Sequence, residues 1–182
     1  MGPYPNRRKH LLVMAIILAL CLGGAPLQAG ENPGLDAALF GTGTFAAGKT
    51  GVLQVTIQNN LLIETLNPSA LQLGLTQYFG AAVGVAADLR NEDAPLTVET
   101  GRILLGTIPS GGTAPPVPFS LKVDDGAAAG LYTLYLDLSY RVLEEVKVGR
   151  AVDFTWDERS QTIELTVEIL EEPAQGGVDD PL

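Results

Sequence analysis

An antiparallel β-sandwich of about seven to nine strands with Greek-key connections is the fold class this sequence predicts, and three observations lead there. Apolar residues recur with a period of two along the body of the chain, glycine- and proline-bearing turn signals interrupt them at short intervals, and no long stretch carries a helical period. A period of two sets one row of side chains against a core and the other against water, whereas helical spacing would mix the two rows around an axis.

In chain order, Ala37 to Phe40 is the first short candidate strand. The turn Ala47-Gly48-Lys49 precedes Val52 to Gln58, whose inward set is Leu53, Val55 and Ile57. After the turn Asn67-Pro68-Ser69 come Ala70 to Thr76, Ala82 to Leu89, Leu96 to Glu99 and Ile103 to Ile108; several are alanine-rich or interrupted by glycine, which blurs their ends. Pro109-Ser110-Gly111-Gly112 leads into Phe119 to Asp124, with Phe119, Leu121 and Val123 inward. Asp124-Asp125-Gly126 leads into the clearest strand, Leu131 to Arg141, where Tyr132, Leu134, Leu136, Leu138 and Tyr140 face the core and Thr133, Tyr135, Asp137, Ser139 and Arg141 face water. Val146 to Trp156 reads as a further strand and Asp157 to Ser160 as a turn. Thr162 to Leu170 reads as the last strand, with Ile163, Leu165, Val167 and Ile169 inward. Leu53, Val55, Ile57, Phe119, Leu121, Tyr132, Leu134, Leu136, Ile163, Leu165 and Val167 are expected to share one core.

The domain reading is a signal peptide over 1–29, the sandwich over 30–170, and a disordered acidic tail with Pro173, Gly176, Gly177 and Pro181 over 171–182. Arg7, Arg8 and Lys9 precede an unbroken apolar stretch from Leu11 to Leu22, and the run from Gly23 ends on the small residue Ala29, near which cleavage is expected. The apolar stretch falls short of a membrane span, so the mature chain is expected to hold no integral span and to lie outside the cytoplasm, secreted or at the cell surface. The rival routes are a retained N-terminal anchor and acylation of Cys21; Leu20 stands before Cys21 where a small residue is expected, which argues against acylation.

His10 and Cys21 are the only histidine and cysteine, and both fall in the signal, so the mature chain lacks the side chains most used for proton shuttling, thiolate chemistry and zinc ligation. Removing Arg7, Arg8 and Lys9 lowers the 11 basic residues to 8 against 21 acidic ones, a mature net charge of −13. Such a charge repels phosphate backbones and anionic membrane surfaces, and no run of Lys or Arg makes a local exception; nucleic acid is therefore not expected as a partner.

Three segments carry a family resemblance. Leu53-Gln54-Val55-Thr56-Ile57-Gln58-Asn59-Asn60 is an alternating strand running into asparagine, Leu105 to Gly112 is a loop before the strand Pro118 to Val123, and Ala127-Ala128-Ala129-Gly130-Leu131-Tyr132 is a small-residue turn followed by Gly, a leucine and Tyr. In these the chain resembles the immunoglobulin-like domains of prokaryotic cell-surface and S-layer-associated proteins, similar to the CARDB and NPCBM-associated sandwich domains. The resemblance implies an immunoglobulin-like fold and a cell-envelope location, and it brings no catalytic residues. It departs from the family at Leu61 and Leu62, where a glycine usually stands near the asparagine.

Carboxylates and aromatic rings remain as candidate chemistry. Asp124 and Asp125 could offer oxygen ligands to calcium, although two acids before Gly126 are ordinary turn formers; no metal or other cofactor is expected. Glu144 with Glu145, and Asp157 with Glu158, are sequence neighbours, which in a strand point to opposite faces and cannot share a substrate as a glycosidase pair does. Tyr78 with Phe79 and Gly80 is expected to plug one end of the core. Tyr135 on a polar face and the loop near Trp156 form the expected recognition surface, because exposed aromatics are enriched at binding hot spots. The expected function is a non-catalytic structural or adhesion module of the envelope that binds other envelope or surface proteins. The alternative is a carbohydrate-binding accessory module for glycans, which needs coplanar exposed rings with polar neighbours.

Overall fold

The computed structural model describes residues 34–62 and 71–171. Its alternating segments form β1 (Leu35–Leu39), β2 (Thr44–Ala46), β3 (Thr50–Asn59), β4 (Ala82–Asn91), β5 (Leu96–Val98), β6 (Ile103–Ile108), β7 (Val117–Val123), β8 (Gly130–Val148) and β9 (Val152–Leu170). One sheet has the order β1-β3-β7-β5, the other β2-β9-β8-β4-β6. Every pair is antiparallel except β2 with β9. With β1, β3, β7 and β5 in the A, B, E and D places, and β9, β8 and β4 in the G, F and C places, the molecule is an immunoglobulin-like β-sandwich.

The expected inward rows build the core between the sheets. Leu53, Val55, Ile57, Phe119 and Leu121 meet Leu134, Leu136, Leu165 and Val167 in one buried cluster, with Tyr132 and Ile163 packed half-buried against its margin. Polar side chains take over where the backbone ladder ends. Asn91 Nδ2 donates to the carbonyls of Ala94 (2.8 Å) and Leu96 (2.6 Å) while its Oδ1 accepts from Ala94 N–H (2.9 Å), closing the corner through which the chain changes sheet between β4 and β5. Gln161 on β9 holds β1 in the opposite sheet: its Oε1 accepts from Leu35 N–H (3.1 Å) and its Nε2 donates to the Leu35 carbonyl. Among the described residues every buried side-chain nitrogen and oxygen has a partner.

Four expectations are corrected. The described part of Ala70 to Thr76 is not a strand: Gly74 N–H donates to the Leu71 carbonyl and Tyr78 N–H to the Leu75 carbonyl, and Thr76–Tyr78 is a 3-10 turn. Leu71 and Gln72 are helical, and among the described residues no strand pairs with the segment, so local bonds satisfy its backbone. Val146 to Trp156 is not one strand, since the chain reverses between Val148 and Val152, where Gly149 N–H donates to the Ala151 carbonyl. Asp157 to Ser160 is not a turn but lies mid-strand, paired with Val142 to Ser139. Glu158 and Ser160 face outward opposite Arg141 and Ser139, while Asp157 and Arg159 lie on the other face and pair with each other, so four successive polar residues stay within a strand. Finally β2 was not expected; three residues are too few to display alternation, and only their pairing with Glu168 to Leu170 makes them a strand.

The signal segment with its cleavage site, the turn Asn67-Pro68-Ser69 and the tail beyond Glu171 lie outside the described residues. Among the described residues no helix is long and apolar enough to cross a membrane.

Candidate interaction surface

The outer face of the five-stranded sheet is a grid set by strand register. Along β8 the outward residues Tyr135, Asp137, Ser139 and Arg141 stand opposite Glu164, Thr162, Ser160 and Glu158 of β9. Across the other edge of β8, Tyr135 faces Arg90, Asp137 faces Asp88 and Ser139 faces Ala86. Asp88 and Asp137 are thus like charges directly opposite, an arrangement that costs stability unless a cation intervenes. Arg90 is that cation: it holds Asp137 through Nε and Nη2, bonds Glu92 through Nη1 (2.8 Å), and sets its Cζ 5.6 Å from the Tyr135 ring centroid. The Arg90 guanidinium, helped by the Thr162 hydroxyl, holds the Asp137 carboxyl below the usual carboxylate range.

Two adjoining depressions of about 510 Å³ each run along this face and share Arg102, Ser139 and Ser160. One is bounded by Asp88, Asp137 and Thr162, the other by Gly84, Arg141 and Glu158. Arg102 comes from the link before β6 and reaches over the sheet, its Nη2 donating to Ser139 Oγ (2.6 Å). Gly84 sits at a register shift in β4 with φ +67°, a conformation that favours glycine, and a Cβ there would lie 4.0 Å from Arg141 Nη2.

Beyond Arg141, β8 loses β4 as a partner and continues with β9 as a two-stranded arm. Leu143–Trp156, Val146–Phe154 and Val148–Val152 are directly opposite pairs on one face, with Glu144 the extra residue of a bulge. At the base of the arm Leu143 and Val146 bury against Phe79, with Leu75 and Trp156 packed half-buried around them. Toward the tip the stripe is open to solvent, with Phe154 47%, Val148 53% and Val152 39% exposed.

Tyr135 and Trp156 lie on this same outer side, but Trp156 is within β9 and not on a loop. Trp156 is opposite Leu143, eight residues along β8 from Tyr135, which separates the two positions by about 27 Å along the strand. Each ring carries a guanidinium: Arg141 Cζ is 5.6 Å from the Trp156 centroid, as Arg90 is from Tyr135. Phe79 does plug a cluster, though a satellite one under the arm, while Tyr78 remains exposed.

The carboxylate candidates are placed apart. Glu145 bonds Lys147 (2.8 Å) and Asp157 bonds Arg159 (2.8 Å). Asp124 and Asp125 form a turn packed on the turn at Gly48: the Asp124 carbonyl accepts from Gly48 N–H (3.1 Å), and a Cβ on Gly48 would stand 2.7 Å from Asp125 Oδ1. Among the described residues no three of His, Cys, Asp and Glu gather to hold a metal ion. Sequence reading missed Arg102, Asp88 and the apolar tip. Phe154 and Val152 carried a signal, their shared parity with Trp156, whereas Arg102 carried none because its contact to Ser139 spans 37 residues.

No protein-family model matches the chain, and no curated protein matches its sequence. Among solved structures the chain is similar to the ASH / PapD-like domain of human CEP192 (PapD-like domain 7), with 10% identity, a TM-score of 0.31, and coverage of 81% of this chain and 93% of that one. A likeness of that size bears on neither activity nor partner.

Proposed function

We propose that this chain is a non-catalytic module of the cell envelope, exported from the cytoplasm, that works by binding another protein through the outer face of its five-stranded sheet and the arm that continues it. The observation that carries this reading is the apolar stripe, which begins buried at Leu143 and Val146 and ends exposed at Phe154, Val148 and Val152. Contiguous exposed apolar side chains on an arm standing clear of the core are the surface a protein partner covers. The glycan alternative has less support: Tyr135 and Trp156 are about 27 Å apart along the strand, each under a guanidinium, and do not form a stacking platform. Export rests on the N-terminal basic and apolar pattern.

Photo-crosslinking in the source cells tests the reading. A photoreactive phenylalanine analogue at Phe154 is expected to yield a discrete protein adduct in the envelope fraction, and the same analogue at Thr56 on the opposite sheet none. Equal adducts from both positions, no adduct from either, or binding of the purified protein to a glycan array that Trp156→Ala abolishes would overturn it.

A further inference from the structure

We propose that the depression over Gly84 is a carboxylate-binding subsite, and that its occupant is an extended segment of a partner polypeptide carrying an acidic side chain with a basic one two residues along. The proposal deepens the protein-binding reading above and rests on it.

The first observation is where the charges remain unbalanced. Asp157 neutralises Arg159, Glu145 neutralises Lys147, and Asp137 with Glu92 neutralises Arg90. Arg102 and Arg141 have no carboxylate at ion-pair distance among the described residues, although Glu158 stands directly opposite Arg141 in the strand register. Arg102 makes one hydrogen bond, to Ser139, and Arg141 is spread over Trp156 with its Nη2 toward Gly84. Both guanidiniums therefore border one depression, with the Ser139 and Ser160 hydroxyls beside them; Glu158 is the one carboxylate in its lining, against three arginines of which Arg159 is paired with Asp157. A guanidinium fork is weakly hydrated and matches a carboxylate in two parallel hydrogen bonds, so two forks over hydroxyls suit that anion.

The second observation is the adjoining depression. Arg90 satisfies Asp137 and leaves its cross-strand neighbour Asp88 without a cation among the described residues. Arg102 borders both depressions, so the groove carries positive charge from Arg141 to Arg102, beside the carboxylate of Glu158, and negative charge at Asp88. Ser139 and Asp137 are two residues apart on β8, about 7 Å, which is also the spacing of same-side residues in an extended partner. The Gly84 bulge matters sterically, because it removes a side chain where the acidic group would sit. A polyanion is a poor occupant, since the sequence from residue 30 on carries 8 basic against 21 acidic residues and repels extended negative charge. A neutral segment with paired opposite charges avoids that repulsion and meets both ends.

The test uses the full exported protein and the peptide Ac-Thr-Glu-Thr-Lys-Thr-NH₂ as probe, read by NMR shifts of backbone amides and arginine Nε–H groups. Saturable shifts at Arg102, Arg141, Ser139 and Ser160 are expected, weakened about tenfold or more in R102Q/R141Q and unchanged in R150Q at the arm tip. All three arginines are exposed, so the fold is expected to survive these changes. The Gln-for-Glu and Gln-for-Lys version of the peptide should not saturate. Sodium acetate or inorganic phosphate binding as tightly as the peptide would reduce the site to a small-anion site and overturn the partner assignment. Unaltered peptide binding by R102Q/R141Q, binding of the neutral peptide, or a neutral oligosaccharide shifting the same signals would overturn the proposal outright. If the Phe154 adduct still forms while the peptide fails, the carboxylate subsite falls and the interaction module stands.

Discussion

Three amide side chains do at single positions what the strand ladders do elsewhere, and Asn59 is the most committed of them. It is fully buried at the end of β3. Its Nδ2 donates to the carbonyls of Gly80 (2.8 Å) and Ile108 (2.9 Å), and its Oδ1 accepts from Leu61 N–H (2.9 Å). Its own backbone is paired to the loop after β6 through Gly112 (2.8 Å) and Gly111 (2.9 Å). Asn59→Ala leaves two buried carbonyls and one N–H to find water or nothing, and is expected to cost about 2 to 4 kcal/mol. Urea unfolding checks it, as a lowered midpoint with an unchanged slope. Leu136→Ala, at a site with no exposure, is expected to cost about 2 to 5 kcal/mol by cavity formation in the same assay. Of these residues the strand-ending asparagine was legible as a motif, while its partners at Gly80 and Ile108 were not, since they come from other strands and loops.

The β8–β9 hairpin behaves as two elements. From Leu134 to Arg141, β8 is paired on both edges, by β4 and β9, and buries its even-numbered residues in the main core. From Val142 to Val148 its ladder partner among the described strands is β9, and a two-stranded ribbon is marginal in water unless it is packed. The arm is therefore held by the satellite cluster that Phe79 completes. Phe79→Ala is expected to speed amide hydrogen exchange over Val142 to Trp156 about tenfold or more while Leu134, Leu136, Leu165 and Val167 keep their protection. Uniform acceleration across both regions would show instead that the arm and the core open as one unit. The misplaced turn in the sequence reading has the same origin: polar residues Asp157 to Ser160 look like a break, and only the paired partner strand reveals them as continuous strand, with Glu158 and Ser160 on the outward face and the Asp157–Arg159 pair on the other.

For the whole molecule, acid sensitivity follows from the Arg90–Asp137 contact that ties β4 to β8. The Asp137 carboxyl is held below its ordinary range in the folded state, first by the hydrogen bond from Arg90 and then by the Thr162 hydroxyl. The unfolded state thus binds the proton more readily. The contribution is fully present above the unfolded carboxyl pKa and is lost as pH falls through the depressed folded value. Because the pair is partly exposed, solvent screens it and its contribution is expected to be small. Urea midpoints of wild type and Asp137→Asn should therefore differ at neutral pH and converge in acid. On the alkaline side burial pushes the Tyr140 hydroxyl up, so its contribution holds below the ordinary tyrosine pKa and is lost as pH rises through the folded value.

Local pattern determined the inward rows of β3, β7, β8 and β9 and the turns at Gly48 and Gly126, because a period of two and a glycine turn are written in adjacent residues. It also determined the acidity and the lack of histidine and cysteine after the first 29 residues, which composition alone carries. The tertiary structure alone decided where β8 ends and β9 begins, that Thr44–Ala46 is a strand, and that Arg102 stands over Ser139. Those features depend on which strands become neighbours, and that choice is made by packing two apolar faces together across long sequence separations. An outward face has no core to declare its register, so the surface most concerned with binding was the part least legible before the sheets were assembled.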